Sequence, residues 1–374
     1  MARRIVLVHN TSRYLYMHYR QLIELLRSRG WDVVCAAPRD EAVARLESLG
    51  ASWRELELSR RGMNPLSEVA TFARLLGLFR RESPEVVLNF SIKPAIYGSI
   101  AARLAGCRRI CSMITGLGYV FMPGGTRQRL LRAAVGWSYR LALGCNAKVF
   151  FQNPDDQRLF VEEGLVRAER TVVLPGTGID TVEFTPPPQP APRGRFLLVG
   201  RLLNDKGIRE YVEAAQTVRA SYPDAVFELL GPFDSNPAAV SRGQIEEWER
   251  SGAIDYLGEA DDVRPALSRA SVFVLPSYRE GLPRATVEAM AMGRPVITTD
   301  APGCRETVVD GENGFIVPVR DAKALAGAML RFLSDPGLVE SMGRRSREIA
   351  CERYDVHRVN DLIARNLNPA GACE

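Results

Sequence analysis

Histidine is scarce in this 374-residue chain: His9, His18 and His357 are all there are, too few and too scattered for a histidine-based metal centre. Cysteine is odd in number, at positions 35, 107, 111, 145, 304, 351 and 373, and no two form a Cys-x-x-Cys. Neither a disulfide framework nor a zinc site is indicated, and a reduced, cytoplasmic setting is expected. No run of about 18 apolar residues is present, so no membrane-spanning helix is expected. The early apolar run 5–8 is too short for a signal peptide. Neither a P-loop nor a G-x-G-x-x-G occurs, which removes the commonest glycine-rich nucleotide signatures. Lysine is rare: positions 93, 148, 206 and 323 against 45 arginines, which draws attention to each lysine kept.

Against these absences stands an ordinary globular composition, 46% hydrophobic and 25% charged. The length suits two domains. The net charge of +5 hides an asymmetry. Residues 1–180 carry 26 basic and 16 acidic side chains, and 181–374 carry 23 and 28. The stretch 101–150 holds eight basic residues and no acidic one. A basic half either meets an anionic partner or is a solvated charged surface.

Short β-rich runs at 5–8, 33–37, 86–88, 110–114, 149–151 and 172–174 alternate with helical patterns at 14–29, 66–81, 94–105 and 126–144. The pattern restarts with strands at 196–199, 226–230, 272–275, 296–298 and 315–317, covered by helices at 208–220, 283–292, 321–334 and 337–352. This is an α/β signature: two Rossmann-like, doubly wound parallel sheets, expected to face a shared cleft. Residues 184–194 include five prolines and form an extended connector where the charge balance changes. The expected domains are therefore 1–183 and 195–355, with 184–194 between them. A last helix, 356–367 within 356–374, is placed to cross back to the first domain.

Two segments carry chemistry. Gly200 to Gly207 reads GRLLNDKG, following a strand and opening a helix. Backbone N–H groups and a helix N-terminus suit an anion there, and Arg201 with Lys206 adds two charges suited to a diphosphate. The alternative is a solvated turn with two incidental charges. The second segment runs from Pro276 through Glu280, Gly281, Leu282 and Pro283 to Glu288 and Gly293. Glu280 falls in a loop, and Glu288 lies in the helix that Pro283 opens. Five residues of helix, about 7–8 Å along the axis, separate Pro283 from Glu288, so the two carboxylates are expected to accept from hydroxyl groups on different parts of one ligand. The alternative for Glu288 is a structural acceptor in an apolar helix.

Arg201 and Lys206, then Glu280-x7-Glu288, then Gly293-Arg-Pro-Val-Ile-Thr together resemble the retaining glycosyltransferases of family 4, with the GT-B fold. The resemblance covers nearly all of the chain and is strongest over about 195–320. It implies that Arg201 and Lys206 bind the diphosphate of a UDP-sugar, Glu280 contacts the sugar and Glu288 the ribose. Backbone near Tyr256, Leu257 and Gly258 would hold the base, and Gly281 and Leu282 would offer N–H groups to the distal phosphate. No cofactor and no divalent metal are expected, because protein cations and helix dipoles stabilise the leaving group.

In the first half, Ser91-Ile-Lys93-Pro94-Ala-Ile-Tyr97-Gly98, Thr115-Gly116-Leu117-Gly118 and Ser59-Arg60-Arg61-Gly-Met-Asn64-Pro65 resemble bacterial members that extend saccharides on undecaprenyl diphosphate. These include N-acetylgalactosaminyltransferases of protein N-glycosylation. The implied acceptor is a polyprenyl-diphosphate-linked glycan, with Thr115 and Gly116 at its site. Lys93, Arg60 and Arg20, expected without neighbouring acids, are the candidate cations for its diphosphate, and the alternative is that all three are solvated surface charges. The sequence departs from many members at His9-Asn10-Thr11-Ser12, where a Gly-Gly is usual, and at Thr115, where a histidine is. His9 is either a cleft residue or a structural one.

Tyr14, Tyr16, Met17, Tyr19 and Arg20, and a basic apolar helix from Arg127 to Leu141, suit an anionic membrane surface. The other reading of that helix is packing on the sheet with snorkelling arginines. The functions weighed are a glycosyltransferase acting peripherally at the membrane, a nucleotide-sugar 2-epimerase, and a binding protein. A nucleic-acid partner is not expected, since no recognition motif accompanies the basic half.

Overall fold

The computed structural model describes residues 3–58, 65–116, 126–188, 193–236 and 238–368. The chain divides into two units, 1–177 with 357–374, and 178–356. In each, runs of Val, Ile, Leu and Phe buried on both faces form parallel strands, as expected where helices cover both sides of a sheet.

The first unit carries β1 (Arg3–Val8), β2 (Trp31–Ala37), β3 (Ser52–Glu55), β4 (Val86–Phe90), β5 (Arg109–Ile114), β6 (Lys148–Phe151) and β7 (Thr171–Val173). They pair in parallel in the order β3-β2-β1-β4-β5-β6-β7. Its helices are α1 (Ser12–Ser28), α2 (Val43–Ser48), α3 (Pro65–Glu82), α4 (Ser99–Leu104), α5 (Thr126–Gly144) and α6 (Pro154–Glu162). The order reverses between β1 and β4. Open α/β sheets bind ligands outside the carboxyl ends of strands at such a switch.

The second unit carries β8 (Arg195–Val199), β9 (Val226–Leu230), β10 (Asp255–Tyr256), β11 (Val272–Leu275), β12 (Val296–Thr299) and β13 (Gly314–Val317), in the order β10-β9-β8-β11-β12-β13. Helices α7 (Ile208–Arg219), α8 (Arg242–Arg250), α9 (Arg264–Arg269), α10 (Arg284–Ala291), α11 (Ala322–Ser334) and α12 (Gly337–Arg353) cover it. Its switch lies between β8 and β11. The two segments singled out in this half of the sequence, 200–207 and 276–293, leave the sheet there.

Several features differ from the sequence reading. The strands β3 and β10 were not anticipated, because Ser-Trp-Arg-Glu and a two-residue edge strand show no apolar run. The helix expected over 94–105 begins as a π-turn, Pro94–Gly98, before α4. Gly98 lies there against the Asn89 amide, where a Cβ would collide with Asn89 Oδ1. The boundary between units falls after Thr177, not at the prolines. Residues 178–184 are built into the second unit: Ile179 N–H donates to Tyr354 O at 2.8 Å, Phe184 is buried in its core, and Arg347 donates to Thr181 O and Phe184 O. The final helix α13 (Val356–Leu367) places Val359, Ile363, Ala364 and Leu367 in the apolar cluster of Leu7 and Leu88.

Candidate active site

Where β8 ends, the chain turns through Gly200 and Arg201 into a 3-10 turn, Asn204–Lys206, and then α7. Gly207 joins them at φ +73°, and a Cβ there would run into Pro276 O. Glycine is needed on both counts. It lets the β8 turn lie against the loop leaving β11. Across that contact the Lys206 ammonium forms an ion pair with the Glu280 carboxylate, the side chains 18% and 14% exposed. The two residues most central to the expected donor site are thus brought together.

The Glu280 loop is fixed on its other side as well. Glu280 N–H donates to Pro302 O at 2.9 Å. Gly303, at φ +80°, packs so closely that a Cβ would strike Glu280 O. Gly281 and Leu282 precede Pro283, which is the N-cap of α10 rather than its first helical residue. Within α10, Glu288 accepts from Arg284 Nε at 2.8 Å. Burial raises the Glu288 pKa, and Arg284 opposes the rise. The Arg284 guanidinium also donates to Gly178 O at 3.2 Å. Glu288 is therefore a carboxylate paired within its own helix.

Arg201 is half-exposed and lies on Asp234 Oδ2 at 3.0 Å. Gly200 N–H donates to Leu230 O at 3.0 Å. Gly231 packs on Gly200 with no room for a Cβ. Tyr256 OH donates to Gly231 O at 2.8 Å, and Leu257 N–H to Leu229 O at 2.8 Å. The backbone at 256–258 is thus tied to the end of β9, next to the β8 turn. Asp234, Arg284, Gly231 and Gly303 were not singled out in the sequence. A glycine directly after a strand was the signal available for Gly231, and the Pro-Gly pair after β12 for Gly303.

In the first unit, Lys93 follows β4 at the switch with β1. Ser91, just before it, has φ +67°, uncommon for a residue with a Cβ. The expectation that Lys93 stands without neighbouring acids is corrected. Its ammonium is 2.6 Å from Glu68 Oε1, with side chains 24% and 14% exposed. Burial and Glu68 together push the Tyr97 pKa up to about 12. Glu68 lies 25 residues earlier, in α3. Thr115 and Gly116 are half-buried just beyond β5, and Arg20 is half-buried on α1. Arg60 lies outside the described residues. His9 directly follows β1, buried, with Nδ1 accepting from Thr11 N–H at 3.1 Å and its ring stacked on Tyr14.

Helix α5 packs on the sheet, as one of its two sequence readings has it, and leaves two apolar side chains exposed. Tyr139, Ala142 and Leu143 are buried against β6 and α6, while Trp137 and Leu141, one turn apart, are 65% and 48% exposed. Arg140 donates to the Glu163 and Gly164 carbonyls, capping α6, and Arg170 donates to Gly144 O, capping α5. No helix of the described residues is long and apolar enough to cross a membrane.

Comparison with known proteins agrees with this architecture. A family model described as "Glycosyl transferase 4-like domain" matches residues 17–177, and one described as "Glycosyl transferases group 1" matches 193–335. The chain is 26% identical over 352 residues to the N,N'-diacetylbacillosaminyl-diphospho-undecaprenol alpha-1,3-N-acetylgalactosaminyltransferase of Campylobacter jejuni, covering 90% of this chain and 91% of that protein. It is 25% identical over 316 residues to the UDP-Gal:alpha-D-GlcNAc-diphosphoundecaprenol alpha-1,3-galactosyltransferase of Escherichia coli, covering 81% and 80%. Among solved structures, the Anabaena protein HepE in complex with UDP superposes with a TM-score of 0.78 at 19% identity, covering 98% of this chain and 99% of that one.

Proposed function

The chain belongs to the family 4 glycosyltransferases with the GT-B fold, and from that premise we propose that it moves a hexose or N-acetylhexosamine from a UDP-sugar to a polyprenyl-diphosphate-linked saccharide, with retention at the anomeric carbon. The observation that carries the donor half is the contact of Lys206 with Glu280 at the β8/β11 switch. A cation for the diphosphate and an acceptor for a sugar hydroxyl stand side by side where an α/β sheet binds its ligand. The acceptor half is supported by the relatives' own acceptors, both linked to diphospho-undecaprenol.

The anomeric carbon–phosphate oxygen bond breaks as the acceptor oxygen bonds to the same face, and the acceptor's proton passes to the departing diphosphate. No protein side chain serves as base. Lys206 and Arg201 match the charge that develops on the leaving group, and electrostatic stabilisation of this kind usually contributes most to such catalysis. No divalent ion is needed. Glu280 accepts from a sugar hydroxyl and Glu288 from the ribose. Lys206 and Glu280 hold each other, so a bound diphosphate shares an ammonium already aimed at the site.

Purified protein mixed with UDP-sugars, with and without a lipid-diphosphate-linked acceptor, tests this. Product that requires acceptor supports transfer. An isomerised nucleotide-sugar without acceptor makes it an epimerase, and no turnover in either tube makes it a binding protein.

Lys93 is proposed to meet the acceptor diphosphate, displacing Glu68. Lys93→Ala should then raise the apparent KM for the lipid diphosphate roughly tenfold and leave that for the nucleotide-sugar unchanged. Equal KM values with lipid-linked acceptor would remove Lys93 from the acceptor site. Arg60 is the second candidate for the same test.

We further propose that the exposed Trp137 and Leu141, on a helix whose surroundings are basic, seat the enzyme peripherally on an anionic membrane. The double substitution Trp137→Ser, Leu141→Ser should abolish co-sedimentation with vesicles rich in anionic phospholipid while leaving turnover on a short-chain soluble acceptor. Retained vesicle binding would refute this seat.

A further inference from the structure

The loop 276–282 carries Glu280 but belongs to no regular element, so something must hold its carboxylate in place. Pro302 and Gly303 hold the loop on one side, and Tyr278 anchors it on the side of the β8 turn. Its backbone N–H donates to Asp205 O at 2.8 Å, and its hydroxyl donates to Glu210 Oε1 at 2.6 Å. Asp205 shares the 3-10 turn with Lys206, and Glu210 lies in the first turn of α7. Both partners therefore belong to the segment that supplies the lysine paired with Glu280. The other Glu210 oxygen is buried without a hydrogen-bond partner, so the tyrosine hydroxyl is what this carboxylate engages.

A third residue closes the arrangement. The Arg320 guanidinium lies over the Tyr278 ring, 4.7 Å from its centroid. Arg320 sits just past β13, at φ +62°. Backbone strain of this kind at a side-chain-bearing residue persists where the surroundings over-determine it and gathers near functional sites. Burial, with Glu210 next, pushes the Tyr278 pKa up to about 12, so its hydroxyl stays protonated and remains a donor.

We infer that Tyr278, gripped by Glu210 and covered by Arg320, is a positioning residue that sets Glu280 at the distance from Lys206 that transfer requires. The inference rests on the reading that Glu280 faces the donor sugar. The proposed phosphate and ribose contacts are assigned to other residues. Losing the hydroxyl should therefore disturb the sugar end and spare the nucleotide end.

The test is Tyr278→Phe, which removes one oxygen and keeps the ring under Arg320. The expected result is kcat lowered about tenfold, since small misplacements at a reacting centre are costly. The dissociation constant for UDP should stay within about twofold of the parent's. Glu210→Ala should fall as far as Tyr278→Phe, and the double variant no further, because both remove one interaction. Glu210→Gln, which keeps an acceptor oxygen, should recover most of the rate. Amide hydrogen exchange at 278 and 280, measured with no nucleotide present, should speed up about tenfold in Tyr278→Phe while β8 and β11 stay protected.

Unchanged exchange and unchanged kcat would overturn the inference, as would a loss of UDP affinity and melting temperature in step with kcat. Faster exchange in the variant, with a parent enzyme that transfers nothing from any UDP-sugar, would support the positioning role and defeat the proposed function instead.

Discussion

Replacing Lys206 by alanine should cut sugar transfer by roughly 10²–10³-fold, the usual loss when one group stabilising a developing oxyanion is removed. The charge on the leaving diphosphate grows in the transition state, so the ammonium contributes more there than in the ground state. The loss should accordingly appear in kcat as well as in donor KM. The change also takes the Lys206 ammonium away from the mostly buried Glu280 carboxylate, and a hydrogen bond to a charged group contributes about 1.5–3 kcal/mol of stability. Lys206 itself is 18% exposed on a surface turn, so the fold should survive this. Initial rates at saturating and at low donor, beside a thermal melt, separate the two effects. Undiminished turnover at both donor concentrations would remove Lys206 from the site. Lys206→Arg keeps the charge but not the compact ammonium, and should recover part of the activity.

The frame of the candidate site was largely legible because its parts are local. A strand, a glycine-bearing turn and a helix appear in order at 196–220, and again at 272–291, and each functional side chain sits at a fixed step from the strand end. The alternation of strands and helices also gave two parallel sheets, which put both motifs at strand ends. The partners of those side chains were not legible. Lys206 and Glu280 are 74 residues apart, Arg201 and Asp234 are 33 apart, and Lys93 and Glu68 are 25 apart. Pairing across such distances is decided by the register of neighbouring strands, which no local pattern displays. For Lys93 this mattered: a lysine with no acid near it in sequence is neutralised by a glutamate from α3.

The unit boundary was missed for a related reason. Five prolines mark an extended segment but not where packing changes hands. Gly178 decides that, since a Cβ on it would press on the Val356 backbone, and the Ile179 and Tyr354 backbones pair beside it. The helices α2, α6, α8 and α9 are six to nine residues long, too short for an apolar period to stand out. Asn153 and Ser241, which cap α6 and α8 by accepting from Asp156 N–H and Gln244 N–H, were the signals available there.

Glu280 and Glu288 should come apart under substitution, although both are carboxylates of one motif. Glu280→Gln keeps the shape of the loop and can still accept a hydroxyl proton, but it releases Lys206 from its ion pair. Transfer should fall at least tenfold, while UDP binds as tightly as before or severalfold tighter, because the freed ammonium no longer has a competing anion. Glu288→Ala should do the opposite. It removes the charged acceptor proposed for the ribose, and charge-assisted hydrogen bonds of about 1.5–3 kcal/mol correspond to a UDP affinity weaker by roughly ten- to hundredfold. Burial, outweighing Arg284, raises the Glu288 pKa above that of an ordinary carboxyl group. As pH falls, Glu288 therefore takes up its proton earlier than an exposed glutamate and loses its acceptor capacity. UDP affinity of the parent should decline on acidification from a higher pH than a solvated carboxylate would set, and Glu288→Ala should flatten that part of the profile. Calorimetry with free UDP across pH on the parent and both variants decides the matter. Equal loss of UDP affinity in the two variants would mean that the sugar and ribose roles are wrongly divided.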